Sequence, residues 1–291
     1  MTITSIALCG IVRNEIRGLV EWLAHYKALG FTDFVIYDNE STDGTDKVLQ
    51  ALDEAGELIR IEWPHTVGVN PQILAYDHMR KSSTVDWIAF FDADEFLLLR
   101  QDTSIGDFLQ RFGADVSAIA VNWVPFNSGG QDRFRAAPVI ERFIESLPPS
   151  AHYCHIVKCI GRRVALKGHH IHSAFLRRGR YVTPSGMDAV FRSRTKTETP
   201  DVEVAALHHY MVKSLEEFEE KRMRGHANSH NADRKRTKLD DRLQASNAPG
   251  TRNTDLLAWS GRMRAEAMRL RGILLDAGLS YPVWPFVEAD T

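Results

Sequence analysis

Trp87-Ile88-Ala89-Phe90-Phe91-Asp92-Ala93-Asp94-Glu95-Phe96 is the stretch whose reading decides the fold. The run from Trp87 to Phe91 is apolar and rich in aromatics, the composition of a buried strand. Three acids follow at once. Carboxylates so close repel one another and are costly to hold near a core without a compensating cation. Two of them spaced i and i+2 at a strand end can converge on one hard divalent ion and leave coordination positions for phosphate oxygens. Ligands of open α/β sheets bind at the carboxyl ends of strands. An isolated Asp-x-Asp is also a common solvated turn, so the neighbouring chain has to carry the reading.

Upstream, Ser5-Ile6-Ala7-Leu8-Cys9-Gly10-Ile11-Val12 is a near-continuous apolar run, read as a buried parallel strand. Leu19, Val20, Leu23, Tyr26 and Leu29 follow at helical spacing, and Gly30 supplies the stop. Phe34-Val35-Ile36-Tyr37 is a second strand. It runs into Asp38-Asn39-Glu40-Ser41-Thr42-Asp43-Gly44-Thr45, a turn and helix N-cap composition. A helix to about residue 54, a strand over 58–63 and a helix over 71–81 complete the alternation. It predicts an α/β fold with a mostly parallel, twisted, doubly wound sheet. Beyond it, 105–112 reads as a helix and 118–124 as a strand. Residues 156–160 and 163–166 read as a hairpin around Gly161, and 202–207 as a last strand ending in His208-His209-Tyr210. Ser214 and Glu217 have capping-box spacing for a further helix.

Bulk properties narrow the function classes. The 291 residues suffice for one large domain, or a domain with a subdomain. Net charge is −2, so no overall basic excess points to nucleic acid. No apolar run approaches the roughly 20 residues that span a bilayer, and the N-terminus lacks the pattern of a signal peptide. Cys9, Cys154 and Cys159 give no disulfide framework, and a cytoplasmic setting is the simplest expectation. The glycine fingerprints of dinucleotide sites and P-loops are absent. His152, Cys154, His155, Cys159, His169, His170 and His172 are dense in soft ligands, but C-x4-C matches no common zinc spacing.

Tyr37-Asp38-Asn39-Glu40-Ser41-Thr42-Asp43-Gly44-Thr45 resembles the D-[DN]-x-S-x-D-G-T signature of GT-A glycosyltransferases of the family 2 type. Together with Asn14-Glu15, Glu21-Trp22 and Asp92-Ala93-Asp94-Glu95-Phe96 it is similar to glycosyltransferase family 92 and its bacterial relatives. Trp123-x-x-Phe126-x-Ser128-x-Gly130, Glu141-Arg142-Phe143, Lys158, His172 and His209-Tyr210-x-x-Lys213-Ser214-x-Glu216-Glu217-Phe218-x-x-Lys221 extend the match over roughly residues 3 to 230. Asn127 departs from it, standing where Gly is expected after the Phe, which bears on the acceptor side.

The resemblance implies a GT-A catalytic domain over 1–213, with 1–100 as the nucleotide-sugar half and 101–213 as the acceptor half. Residues 214–291 form a helical extension on the core. It implies transfer of a hexose or hexuronic acid from a UDP-sugar to a saccharide or glycolipid hydroxyl, with inversion. Asp92 and Asp94 would hold Mn²⁺ or Mg²⁺ against the diphosphate. Asp38 and Asn39 would contact uracil or ribose, with Glu15 near the base. His209 is the expected third metal ligand, with His208 and His172 as alternatives, and His208 is expected to point away because strand side chains alternate. Lys158, His172 and Lys213 are candidate donor-site residues, and Glu95 is expected to orient the site without ligating the ion. Glu141 is the candidate general base, with Asp188 and Glu95 as competitors; Glu141 is equally readable as the partner of Arg142. Basic residues at 234–238 suit a solvated loop, or a segment that orders over donor phosphates or touches an anionic membrane surface. The helix expected over 254–275 carries Arg262, Arg264, Arg269 and Arg271, and is read as docked on the core, as a dimer contact, or as lying peripherally on the inner face of a membrane. The competing readings are a nucleotidyltransferase, which Cys9 to Glu15 does not support because it lacks a glycine-rich basic loop, and a non-catalytic nucleotide-sugar or glycan-binding module.

Overall fold

A computed structural model describes residues 5–66, 68–223 and 249–287. The strands are β1 (Ile6–Val12), β2 (Asp33–Asp38), β3 (Ile59–Glu62), β4 (Trp87–Phe90), β5 (Glu95–Leu99), β6 (Val116–Pro125), β7 (Glu145–Ser146), β8 (Val157–Arg162), β9 (Leu166–His169), β10 (Ala174–Leu176), β11 (Arg180–Val182), β12 (Phe191–Ser193), β13 (Lys196–Thr197), β14 (Ala205–His209) and β15 (Thr251–Arg252). The helices are α1 (Leu19–Ala28), α2 (Thr45–Glu54), α3 (Pro71–Ser82), α4 (Ile105–Gln110), α5 (Val139–Arg142), α6 (Leu215–Met223) and α7 (Ser260–Asp276). The basic stretch at 234–238 lies outside the described residues.

The central sheet runs β3-β2-β1-β4-β8-β6-β14-β5, with β11 alongside β6. Its first four strands are parallel and in the order of a nucleotide-binding half, with Val12 opposite Asp38 and Cys9 opposite Phe90. β8 then enters antiparallel between β4 and β6, while β14 runs parallel to β6. The sheet is therefore α/β and mostly parallel, as expected, but mixed in its second half. The hairpin expected around Gly161 does not form. The chain runs straight through Gly161 as β8, turns through a 3-10 segment at Arg163–Ala165, and pairs β9 with β10. A side chain at Gly161 would meet Leu166 Cδ2 at 2.7 Å.

β5 was hidden in the sequence because Leu97-Leu98-Leu99 shows no alternation; every residue of the strand is buried. It closes the sheet. β5 follows β4 after only four residues, yet sits at the far end of the strand order. Five residue steps reach at most about 18 Å, whereas four strand spacings in a flat sheet need about 19 Å. The sheet must curl, and it curls around the acidic turn.

The outer edge of β5 is covered by α1. Trp22 Nε1 and the Tyr26 hydroxyl donate to the Glu95 carbonyl at 3.1 and 2.9 Å, and His25 Nε2 lies 2.9 Å from the Leu97 carbonyl. Aromatic and histidine side chains thus satisfy edge carbonyls that would otherwise be buried unpaired. α7 packs on the opposite side of α1, burying Met263, Ala267, Leu270 and Leu274. The helix is docked. Arg264 pairs with Glu141, Arg269 with Glu57, and Arg262 donates to the Ala28 and Thr103 carbonyls. Val283, Trp284 and Phe286 of the apolar tail are buried, as expected of a segment too apolar to leave in water. Among the described residues, no helix is long and apolar enough to cross a membrane.

Burial holds the His25 imidazole down at about 4, against an unfolded value near 6.5. Between those values the unfolded chain binds more protons, so stability falls as pH drops from about 6.5 to 4. The His25→Gln variant should flatten that part of a urea-midpoint-versus-pH curve; an unchanged slope would remove His25 as its source. α5 and α6 are tied by the buried bidentate pair of Arg142 with Glu217, at 2.8 and 2.9 Å. Arg142→Ala leaves a buried carboxylate unpaired and should cost about 3–5 kcal/mol in urea unfolding.

Candidate active site

The loops after β1 and β2 are knitted together. Asn14, at φ 54°, accepts from Thr42 N at 2.7 Å, Glu15 N donates to Thr45 Oγ1, and Ile16 N donates to Asp43. These bonds use the Ser, Thr and Asp side chains of the 38–45 turn and hold Glu15 at the edge of a cavity of about 360 Å³. Asp94, Lys213, Lys221, Glu217 and Glu220 line its other side. Lys213 takes a left-handed backbone, φ 59°, and its ammonium sits over Gly18.

Asp38 and Asn39 are more enclosed than the sequence suggested. The Asp38 carboxylate accepts from Arg60 Nη2 at 2.7 Å and from Ser41 N at 3.2 Å. Asn39 Nδ2 donates to the Trp63 carbonyl at 2.8 Å. Both side chains fix the strand ends, and the Arg60 guanidinium is the group that Asp38 orients.

The acidic turn is built on cations. Asp92 Oδ1 forms an ion pair with Lys158 Nζ at 2.8 Å and accepts from Gln72 Nε2 at 2.7 Å, with the Tyr76 hydroxyl at 3.4 Å. Glu95 accepts the Asp92 backbone N–H at 2.9 Å, so one acid of the motif clamps the turn that carries another. Asp94 Oδ2 accepts from Lys221 Nζ at 2.5 Å, while its Oδ1 lies 3.4 Å from His209 Nε2. Burial opposes ionisation of all three acids. For Asp92 the Lys158 ammonium outweighs it and holds the carboxyl below the ordinary range. For Asp94, Lys221 and His209 do the same more strongly. For Glu95 burial wins over Lys158, and its carboxyl is pushed well above the usual range. Lys158 itself is completely buried, and Asp92 keeps it charged against that burial.

Two histidines face this cluster across one indole. His209 packs on Trp123 with ring centroids 4.0 Å apart and His172 packs on it at 5.5 Å. Burial and the nearby Lys158 hold the His172 imidazole down at about 3, the neutral form in which it can donate a lone pair. His208 turns to the other face of β14, against Phe126, as strand alternation requires.

The two candidate bases lie away from the cavity. Residues 139–142 form the short helix α5, and Glu141 points toward α7. There it accepts from Ser260 Oγ at 2.7 Å and pairs with Arg264. Arg142, its expected partner, is taken by Glu217. Asp188 is 72% exposed and pairs with Arg180 at 2.7 Å, on the edge next to β11. Neither is among the residues that line the cavity. The soft-ligand run disperses as well: His155 contacts the Thr197 carbonyl, His169 stacks on Phe90, and all three cysteines are free and buried.

Sequence reasoning missed Gln72 and Tyr76, and it quoted Trp123 and Lys221 as motif residues without giving them a role. Gln72 and Tyr76 stand one helical turn apart on α3, a spacing that puts them on one face but does not say what faces them. Lys221 approaches Asp94 from 127 positions away.

The model of glycosyltransferase family 92 matches residues 6–246. The chain belongs to glycosyltransferase family 92. A family 92 protein of Oryza sativa subsp. japonica is 31% identical over 111 residues, covering 37% of this chain and 18% of that protein. One of Ricinus communis is 30% identical over 129 residues, covering 42% and 23%. The chain thus spans about a fifth of the length of these family 92 relatives. Among solved structures, S. aureus TarS in complex with UDP-GlcNAc is 12% identical over 94% of this chain and 73% of that one, with a TM-score of 0.44. The mannosyltransferase PcManGT from Pyrobaculum calidifontis, in complex with GDP-Man and Mn²⁺, is 13% identical over 95% and 76%, with a TM-score of 0.42.

The donor set of Asp92, Asp94, His209 and His172 has the chemistry of a site for a divalent metal: hard carboxylate oxygens with neutral imidazoles. Each carboxylate is turned onto a lysine, however, and among the described residues no three such side chains converge as a ligand set. Lys158→Met should lower the unfolding free energy by about 3–5 kcal/mol, because the Asp92 carboxylate is then left without its cation. A urea midpoint equal to the parent's would mean that the ion pair does not hold the turn.

Proposed function

We propose that this family 92 chain is a metal-dependent GT-A glycosyltransferase that moves a hexose or hexuronic acid from a UDP-sugar to a hydroxyl of a saccharide or glycolipid, with inversion. One observation carries the reading: Asp94 and His209 meet at the carboxyl ends of strands, beside a cavity whose other polar groups include Lys213, Lys221 and Arg17. A diphosphate needs this combination of donors and cations.

In this reading the nucleoside lies against the loops after β1 and β2, with Glu15 toward the base and Asp38, Asn39 and Arg60 shaping the wall. Lys213 and Lys221 meet the diphosphate and offset the charge that grows on it as the glycosidic bond breaks. Asp92, Asp94 and His209 would hold Mn²⁺ or Mg²⁺, with His172 beside them; such an ion supplies Lewis-acid neutralisation of the leaving diphosphate. Lys158 and Glu95 orient Asp92 from below. The acceptor hydroxyl loses its proton to a carboxylate lining the cavity, where Glu15, Asp43, Glu217 and Glu220 stand. We assign catalysis to 1–213 together with the cavity-lining residues of α6, and a supporting role to α7.

Asp94→Ala tests the assignment by calorimetry with UDP and Mn²⁺ and by UDP release from UDP-sugars. The variant should keep a cooperative melt and lose Mn²⁺-dependent UDP binding by at least tenfold. Binding that is unchanged, with the same Mn²⁺ dependence, would move the site elsewhere. Binding by the parent chain without any UDP release across acceptors would favour a non-catalytic module.

A further inference from the structure

The charge of the chain is distributed very unevenly. Residues 162–196 hold nine Lys and Arg and a single acid, Asp188, a net of +8 in 35 residues. The rest of the chain holds 27 Lys and Arg against 37 Asp and Glu, a net of −10. The basic stretch runs from the end of β8 through β9, β10, β11 and β12 to β13. Part of its charge is used internally: Arg162 donates to the Val116 carbonyl, Arg163 to the Val85 carbonyl, and Arg180 pairs with Asp115 and Asp188. Lys167, Arg177, Arg178, Arg192 and Arg194 are exposed. Among the described residues none of these five makes an ion pair.

The same stretch exposes large apolar side chains. Val164 is 57% exposed, Phe175 41%, Met187 61% and Val190 59%. Val164 precedes β9, Phe175 lies on β10, and Met187 and Val190 lie between β11 and β12. Phe175 on β10 lies under the Arg194 guanidinium, 5.4 Å from ring centroid to carbon. Arg177 N donates to the Ala165 carbonyl beside Val164, and Glu198 N donates to the Val190 carbonyl. Exposed cations alone would suit any polyanion. Cations interleaved with exposed aliphatic and aromatic side chains suit a surface that is anionic outside and apolar beneath, which is the headgroup boundary of a bilayer.

We infer that residues 162–196 form a docking surface for an anionic lipid membrane. Lys167, Arg177, Arg178, Arg192 and Arg194 meet the phosphates, and Phe175, Met187, Val164 and Val190 enter the headgroup layer. The surface adjoins the candidate active site, because the turn between β9 and β10 carries His172 onto Trp123 and toward Asp92. Docking would therefore hold the carboxylate cluster near lipid-borne hydroxyls. The arginines of α7 do not share this role, since Arg262, Arg264 and Arg269 are bonded within the chain.

The test is flotation of the full chain with vesicles of phosphatidylcholine alone and of phosphatidylcholine mixed with phosphatidylglycerol, at low and high salt. The parent should float with the anionic vesicles only, and salt should weaken binding. R177E/R178E/R192E/R194E should reduce that partitioning at least about tenfold, since each basic residue near the surface contributes separately. Phe175→Ser with Met187→Ser should reduce it less and leave a more salt-sensitive remainder. All these positions are exposed, so melting temperatures should match the parent's and exclude misfolding. Equal flotation with both vesicle types, or anionic flotation unaffected by the charge reversals, would overturn the proposal. So would retention on a soluble polyanion such as heparin without flotation, which would assign the patch to a free anionic polymer. UDP binding measured on the same variants separates this proposal from the assignment of the transfer site, because neither set of substitutions touches the cavity.

Discussion

The ion pair between Lys158 and Asp92 is the constraint on which the rest depends. A lysine with no exposed surface is tolerated only where opposite charge compensates the loss of water. Asp92 does so at 2.8 Å. That requirement explains why β8 runs antiparallel between β4 and β6. Only there does residue 158 come alongside the end of β4, with Cys159 opposite Phe90 in register. Gln72 and Tyr76 reach Asp92 from α3, and Glu95 takes the Asp92 N–H, so the turn is held from the sheet, from a helix and from itself.

The curl of the sheet follows from the same turn. Asp92 to Asp94 joins two strands that are distant in the sheet order, and closure brings β14 and the start of α6 to Asp94. His209 and Lys221 therefore reach one carboxylate from elements that are remote in sequence. Closure also creates an outer edge at β5. α1 covers it with Trp22, His25 and Tyr26, which is why a helix with amphipathic spacing carries buried polar tips on the face turned to β5.

Two surfaces separate on this frame. α7 lies on α1 and α2 with most of its arginines bonded inward, so it stabilises that pair of helices. In the basic lobe from β9 to β13, five cations have no acidic partner among the described residues. An acidic remainder and a basic lobe give the molecule a direction, and electric fields of this kind orient a protein at a charged surface before contact.

The parallel half of the sheet was legible in the sequence because each of its strands is a short apolar run ended by turn residues, and because Gly30 and Gly56 stop the intervening helices. The acidic turn was legible for the same local reason, and so was the split between His208 and His209, which needs only the two-residue period of a strand. Ser214 and Glu217 form the expected capping pair. The direction of Glu141 was not legible, because α5 is a single turn whose start is set by Glu21, whose carboxylate accepts the Val139 N–H from 118 positions away. β5 carried no alternation to read, since both its faces are buried. The partners of the acids came from far along the chain: Lys158 by insertion of β8, Lys221 by closure of the sheet. Local periodicity determined which elements exist and where the carboxylates stand, while the tertiary structure alone decided which cations face them, because burial and the reach of a four-residue turn act only between segments that the sequence keeps apart.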